Sequence, residues 1–168
     1  MKSVRPYCWF LSLFFSGFAL PVLAAPPAGA GDFKSAKDIL ESLPKPVVQQ
    51  LNSSGPKAPE AMKQGNEQLK TSVTGKTISL KIRVEEINPA PGATRGTQIK
   101  AAADSVRLGS TSFKVHLYAY VKEEGAATLP KAKKGADITV SGLVSRSDIT
   151  NEKGQLQFHL DLDQAKVE

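Results

Sequence analysis

The sequence predicts a mainly β domain with N-terminal helices, in which five strands close into a small barrel. Three observations carry this prediction. Apolar residues recur at helical spacing only before about residue 72, whereas from Gly75 onward they alternate with polar residues at a period of two. The connections between the alternating segments divide them into three strands, a longer crossover and two further strands.

The N-terminus predicts export. Lys2 and Arg5 precede an apolar stretch that ends near Leu20, and a small-residue end follows, which is the layout of a signal peptide. We place the cleavage after Ala24, with Ala25 as the alternative position. A membrane anchor is the other interpretation, but the apolar run is shorter than the about 20 residues that span a bilayer. Residues 1–24 are therefore assigned to a signal peptide, and we expect the mature protein to be periplasmic or secreted.

Cleavage also changes the chemistry available to the mature chain. The chain has one cysteine, Cys8, and it lies inside the signal, which excludes disulfides, a thiol nucleophile and lipidation from the mature part. Loss of Lys2 and Arg5 leaves 20 basic against 16 acidic residues, so the net charge falls from +6 to +4. Such a mildly basic balance is not typical of a dedicated nucleic-acid binder.

The segment that follows divides into a tether and helices. Residues 25–31 read APPAGAG and predict a disordered tether. Residues 32–72 predict a helical segment, with Asp32 as the N-cap of a first helix, a further turn over 47–51 and a second helix over 59–69. The apolar faces of these helices are narrow, so we expect them to dock on the domain formed by residues 73–168.

Five strands are predicted in that domain. The clearest are GKTISLKIRVEEI and FKVHLYAYV, separated by a strand that starts at Thr97 and runs to Ala103, or to Leu108 through a bend at Asp104. A connection of about a dozen residues follows, with room for one helical turn. A fourth strand around Ile138–Val144 and a fifth from Leu156 flank SDITNEKG, which predicts a turn.

Three strands, a crossover and a final hairpin form the order of an OB-fold, a five-stranded Greek-key barrel. An open antiparallel sheet with the same strands is the alternative. The phrases KKGADITVSGLVSR and NEQLKTSVTGKTISLKIRVEEI resemble bacterial exported OB-fold proteins of the tRNA-anticodon-binding-like group, over roughly residues 64–168. This resemblance implies a binding module rather than an enzyme.

The third predicted strand supplies a candidate ligand-binding face. Its outward row alternates basic and aromatic side chains, and single-strand binders stack bases on such aromatics and neutralise phosphates with such cations. Further cations in the first loop and near the last hairpin would form the rim. The candidate residues are Lys114, His116, Tyr118, Tyr120 and Lys122 on the strand, with Arg95, Arg146 and Lys153 around it. In the alternative interpretation Tyr118 and Tyr120 cover the docked helices.

Other kinds of site find little support in the sequence. His159, Asp161 and Asp163 alternate on the last strand, but two histidines without cysteine do not make a typical zinc site, so we predict no metal and no cofactor. GxSxG, HExxH and Walker glycine-loop motifs are absent, and we predict no enzymatic activity.

These observations predict an exported, monomeric OB-fold binding or accessory module whose ligand the sequence does not identify. The partner would be an envelope protein or an oligomeric ligand. One alternative is a structural or interaction protein of the cell envelope. A single-stranded nucleic-acid-binding protein is the weaker alternative, because the second strand offers Lys100 and Arg107 but no aromatic.

Overall fold

A computed structural model describes residues 33–53, 57–90 and 93–168. The predicted signal peptide, the tether and Asp32 lie outside these residues. The prediction of a mainly β chain with N-terminal helices is confirmed. The elements are α1 (Ala36–Glu41), α2 (Lys45–Leu51), α3 (Lys57–Ser72), β1 (Thr77–Asn88), β2 (Thr97–Ala101), β3 (Asp104–Leu108), β4 (Thr111–Val121), a 3-10 helix (Glu123–Lys131), β5 (Asp137–Glu152) and β6 (Gln155–Val167).

Helix α1 begins later than its sequence predicts. Ser35, not Asp32, is its N-cap, because the Ser35 hydroxyl accepts a hydrogen bond from the backbone N–H of Asp38 at 3.2 Å. Pro44 and Pro46 then open α2, where a missing N–H costs nothing. None of the helices in the described part of the chain is long and apolar enough to cross a membrane.

The strands form a ring. Their order is β2-β1-β5-β6-β4-β3, and an additional pairing between β2 and β4 completes the ring and leaves β3 at its margin. All pairings are antiparallel except that between β4 and β6, which is parallel and places Phe113 opposite Leu156 and Ala119 opposite Leu162. Alternate residues of each strand, such as Ile78, Leu80 and Ile82 of β1, are buried inside the ring.

The sheet has six strands rather than the five predicted. The expected second strand is broken at Ala102 and Ala103, and the N–H of Ala102 donates to the carbonyl of Arg83 at 2.7 Å. Before this break β2 pairs with both β1 and β4, whereas after it β3 pairs with β4 alone. The break falls at the bend that the sequence suggested near Asp104.

Strand β5 is also much longer than predicted. Most of the segment SDITNEKG is strand rather than turn, because Ser147 and Ile149 continue the inward row of β5. The reversal is confined to Lys153 and Gly154, whose φ angles of 53° and 85° suit a tight hairpin turn.

The helices close the inside of the ring. Asn66 on α3 donates to the carbonyl of Ile149 at 3.0 Å and accepts from its N–H at 2.6 Å. Thr111 on β4 donates to the carbonyl of Val48 on α2 at 3.0 Å. Gly65 on α3 lies next to Val47 of α2 and Ile149 of β5, where a Cβ would make ordinary van der Waals contacts at 3.5 and 3.8 Å. The helices and the inner rows of the strands thus share one core.

Gly96 connects the first loop to β2 at the point where the ring closes. Its φ is +80°, and a Cβ there would overlap the carbonyl oxygen of Val121, at the end of β4. Gly154 has a similar φ of +85° but an open surrounding. A substitution at Gly154 therefore adds backbone strain alone, whereas one at Gly96 adds both backbone strain and steric overlap.

We expect Gly96→Ala to lower the free energy of unfolding by about 3 kcal/mol, because left-handed strain and overlap add. Gly154→Ala should lower it by about 1 kcal/mol, from strain alone. Urea denaturation of both variants measures the difference. Equal losses would show that β2 does not press against β4 at this point.

Candidate ligand-binding face

The outward side chains of β2, β4, β5 and β6 form one continuous surface, which we call the polar face. The strand register brings them into rows: Lys100 lies beside Tyr118, Tyr118 beside Asp161, and Asp161 beside Arg146. A second row runs from His116 to His159 and Asp148. The polar face comprises Gln98, Lys100, Lys114, His116, Tyr118, Tyr120, Ser145, Arg146, Asp148, Gln157, His159, Asp161 and Asp163, with Arg95 over it.

Arg95 reaches from the loop before β2 and fastens that loop to the polar face. Its guanidinium donates to Asp163 at 2.7 and 3.0 Å, to Asp161 at 3.1 Å and to Ser145 at 3.0 Å. The guanidinium carbon also lies 3.5 Å from the centre of the Tyr120 ring, a cation–π contact. Arg95 thereby connects the first loop, β4, β5 and β6.

The electrostatics of this contact favour the arrangement in which Arg95 is paired with Asp161 and Asp163. Burial opposes the charge of Arg95, but hydrogen bonds with Asp163 and Asp161 outweigh it and raise the Arg95 pKa. The side chain of Asp161 is only 9% exposed, whereas that of Arg95 is 40% exposed. Removal of the guanidinium would leave a largely buried carboxylate without its cation, which is the costly way to break an ion pair.

A strand bulge makes room for the guanidinium. The register of β5 and β6 shifts between Val144 and Arg146, so Ser145 is the extra residue. Ser145 and Arg146 are both exposed, next to Asp161. Arg146 forms an ion pair with Asp148, and that hydrogen bond is the main reason that the Arg146 pKa is raised.

Tyr118 borders a small cavity on the same face. The cavity has a volume of about 180 Å³ and is lined by Lys100, Lys114, His116, Tyr118 and the neighbouring Glu85 of β1, together with Ala101, Ala103, Val115 and Leu117. Lys100 forms an ion pair with Glu85 at 3.0 Å, and this hydrogen bond raises the Lys100 pKa. Tyr118 is half-buried and is one of the residues that line the cavity.

Two histidines stack at the centre of the polar face. The rings of His116 and His159 have centroids 5.1 Å apart and are tilted by 15°. Nε2 of His116 lies 2.5 Å from Oε1 of Gln157, and Nε2 of His159 lies 3.2 Å from the hydroxyl of Thr150. Burial and then the charge of Arg146 lower the His159 pKa.

The structure brings most of the predicted site residues together. Arg95, His116, Tyr118, Tyr120 and Arg146 belong to one connected group, with Lys114 at its margin. Lys122 lies beyond the end of β4, as the N-cap of the 3-10 helix, and Lys153 lies in the β5–β6 turn.

Sequence analysis missed the partners of these residues. Asp161 and Asp163 were considered only as metal ligands, and Gln98, Ser145 and Gln157 were not considered. Gln98 donates to the hydroxyl of Tyr120 at 3.1 Å. The alternation of His159, Asp161 and Asp163 with buried leucines was a signal that these side chains share a face with the tyrosines.

The helices do not dock on this face. Within the described residues, the hydrogen bonds between the segment 33–74 and the strands or their turns involve Ser110, Thr111, Ser147 and Ile149. None of these four residues belongs to the polar face. Among residues 33–53, 57–90 and 93–168, no three His, Asp, Glu or Cys side chains are arranged to hold a metal ion.

Comparison with known proteins gives only loose similarities. No family model matches the chain, and no curated protein matches it. The mitochondrial single-stranded DNA-binding protein of S. cerevisiae is 11% identical with a TM-score of 0.32, covering 56% of this chain and 96% of its own. The Plasmodium falciparum SSB in complex with ssDNA is 18% identical with a TM-score of 0.29, covering 55% and 90%. At such low TM-scores nothing about the ligand of this chain follows from them.

We expect Arg95→Ala to lower the free energy of unfolding by about 2 kcal/mol, because buried Asp161 loses its cation while solvent screens part of the effect. Arg146→Ala is the matched control: its partner Asp148 is more exposed, and the loss should stay below about 1 kcal/mol. Urea denaturation compares them. A loss no larger for Arg95 than for Arg146 would contradict the role of Arg95 as the fastener of the loop.

The lowered pKa of His159 predicts a stability that depends on pH. In the unfolded state the imidazole takes up a proton as the pH falls through 6.5, its ordinary pKa. The folded state takes up this proton only at a lower pH. The free energy of unfolding therefore decreases as the pH is lowered through this range. The folded histidine meets Arg146 and His116, which disfavour its charge, and Asp148 and Glu152, which favour it. His159→Gln should flatten the dependence of unfolding free energy on pH from about 7.5 to 5.5. An unchanged slope in this variant would contradict the assignment.

Proposed function

We propose that this chain is an exported binding module built on an OB-type barrel, and that it binds an oligosaccharide across the polar face. The barrel assignment rests on the strand pairings: with β2 and β3 counted as one broken strand, the ring contains the five strands, the closing parallel pair and the crossover of an OB-fold. Export rests on the signal-like first 24 residues.

One observation carries the position of the ligand. A cavity beside Tyr118 is lined by side chains that are already held in place, since Lys100 is paired with Glu85 and His116 with Gln157. OB-folds bind oligonucleotides and oligosaccharides across this part of the barrel. Side chains that are fixed before binding lose less entropy when the ligand arrives.

The charges of the face favour a ligand that is largely uncharged. Arg95, Lys100 and Arg146 each have a carboxylate partner among the described residues, and Lys114 has none. Four cations face the four carboxylates of Glu85, Asp148, Asp161 and Asp163. Lys114 leaves room for one anionic substituent, but the face offers no row of free cations for a chain with a phosphate at every unit.

The arrangement of Arg95 also argues against single-stranded nucleic acid on this face. The guanidinium covers the Tyr120 ring, which a stacking base would need. Moving it aside would expose the carboxylates of Asp161 and Asp163 to the incoming phosphates. A sugar ring instead needs one flat apolar surface and paired donors and acceptors, which Tyr118 and the Lys100–Glu85 pair would provide beside the cavity.

A binding role without catalysis fits the state of the titratable groups. Both imidazoles already have hydrogen-bond partners, in Gln157 and Thr150. A general base needs to be within reach of a substrate proton. On this face the imidazole nitrogens that are described point to other side chains of the protein instead.

The test is a titration of the ¹⁵N-labelled protein with neutral oligosaccharides, using chito-, cello- and malto-oligomers as probes. We expect amide shifts to be concentrated on β2 and β4 around the cavity for at least one series. Tyr118→Ala should weaken that binding about tenfold or more, since burial of a large apolar side chain contributes about 1.5–3 kcal/mol. Tyr118→Phe keeps the ring and is the matched control, with a smaller loss.

A single-stranded DNA oligonucleotide at low salt is the competing probe. We expect no binding that depends on Tyr118. Binding that falls steeply with added salt and is lost in Tyr118→Ala would overturn the oligosaccharide assignment in favour of nucleic acid. The absence of shifts on the polar face with every oligosaccharide series would also overturn it.

A further inference from the structure

A second cleft lies on the other side of the core, between the first two helices and the β3–β4 turn. It has a volume of about 500 Å³, within the about 300–1,000 Å³ typical of small-molecule sites. Its lining comes from both ends of the α1–α2 connection and from residues 107–110. None of its lining residues belongs to the polar face.

The walls of this cleft are held together by hydrogen bonds rather than by loose contact. The buried hydroxyl of Thr111 donates to the carbonyl of Val48 at 3.0 Å, and the side-chain amide of Asn52 donates to the carbonyl of Ser110 at 3.4 Å. These two bonds fix the turn against α2. The cleft therefore exists before any ligand arrives.

The floor and the rim of the cleft differ in chemistry. The floor is aliphatic, formed by Leu40, Leu43 and Val48, with Leu108 half-exposed at its side. The rim carries three cations, Lys37, Lys45 and Arg107, against one acid, Glu41. Glu41 pairs with Lys37 at 3.6 Å, so within the described residues Lys45 and Arg107 have no carboxylate partner.

Arg107 is oriented by the turn itself. Its Nε donates to the carbonyl of Gly109 at 3.1 Å, which holds the guanidinium beside the cleft. Its other N–H groups have no hydrogen-bond partner among the described residues. A guanidinium with free donors at the edge of an aliphatic floor is suited to a carboxylate attached to an apolar chain.

We propose that this cleft binds a medium-chain fatty acid. The alkyl chain would lie on the leucine and valine floor, where burial of each methylene contributes about 0.8 kcal/mol before the costs of binding. The carboxylate would lie between Lys45 and Arg107. This inference does not rest on the function proposed for the polar face.

Titration of the ¹⁵N-labelled protein with decanoate, kept below its micelle concentration, tests the site. We expect amide shifts at Gln49, Leu108 and Ser110. Lys45→Glu combined with Arg107→Glu should weaken decanoate binding about tenfold, because two attractive contacts become repulsive. The control is Lys63→Glu combined with Lys134→Glu, which reverses two exposed cations that do not line the cleft and should leave the binding unchanged.

Two further measurements make the result decisive. Decanol should bind at least several-fold more weakly than decanoate, since it lacks the charge. Tyr118→Ala should leave decanoate binding unchanged, which separates this site from the polar face. The proposal is wrong if decanoate shifts no amide of the cleft, or if the charge-reversed protein, with an unfolding midpoint like that of the parent, binds it as tightly.

Discussion

The parallel pairing of β4 with β6 is the contact on which the rest of the structure depends. Together with the β2–β4 pairing it completes the ring, and so it lets the inner rows of the strands face one core that the helices can cover. The same pairing places His116 beside His159 and Tyr118 beside Asp161, and thereby assembles the outer face from segments distant in sequence. Among the described strands, β3 alone pairs on one side only, and it is short, which limits the exposed edge.

Much of this architecture could be predicted from alternation alone. The inward residues of β1, β4 and β6 are those that the period of two selected, because a half-buried strand requires that period. Prediction failed for Ser147–Gly154, whose polar composition is typical of a turn. There Ile149 is buried by contact with α3 and held by Asn66, and tertiary packing of this kind overrides local composition.

Most residues of the candidate site could be predicted from the sequence, but their ion pairs could not. Periodicity placed Tyr118, Tyr120 and His116 on one face, and Arg95 near it. Only the closed ring shows that Arg95 meets Asp161 and Asp163, since that contact joins a loop to the last strand. Because of these ion pairs, the face that the sequence predicted to be basic and aromatic is nearly neutral. Two cations without a carboxylate partner among the described residues, Lys45 and Arg107, lie around the separate aliphatic cleft instead.

The closing strand pair also has a consequence for the order of events during folding. β4 lies in the middle of the chain and β6 at the end of the described residues, so the ring cannot close until the last strand is available. Such non-local pairing slows folding, because the entropy of a long loop is lost before any contact compensates it. A chain that stays unfolded for longer remains threadable through a translocation channel. The strand order that builds this core is therefore consistent with the export proposed above, which requires the chain to cross a membrane before it folds.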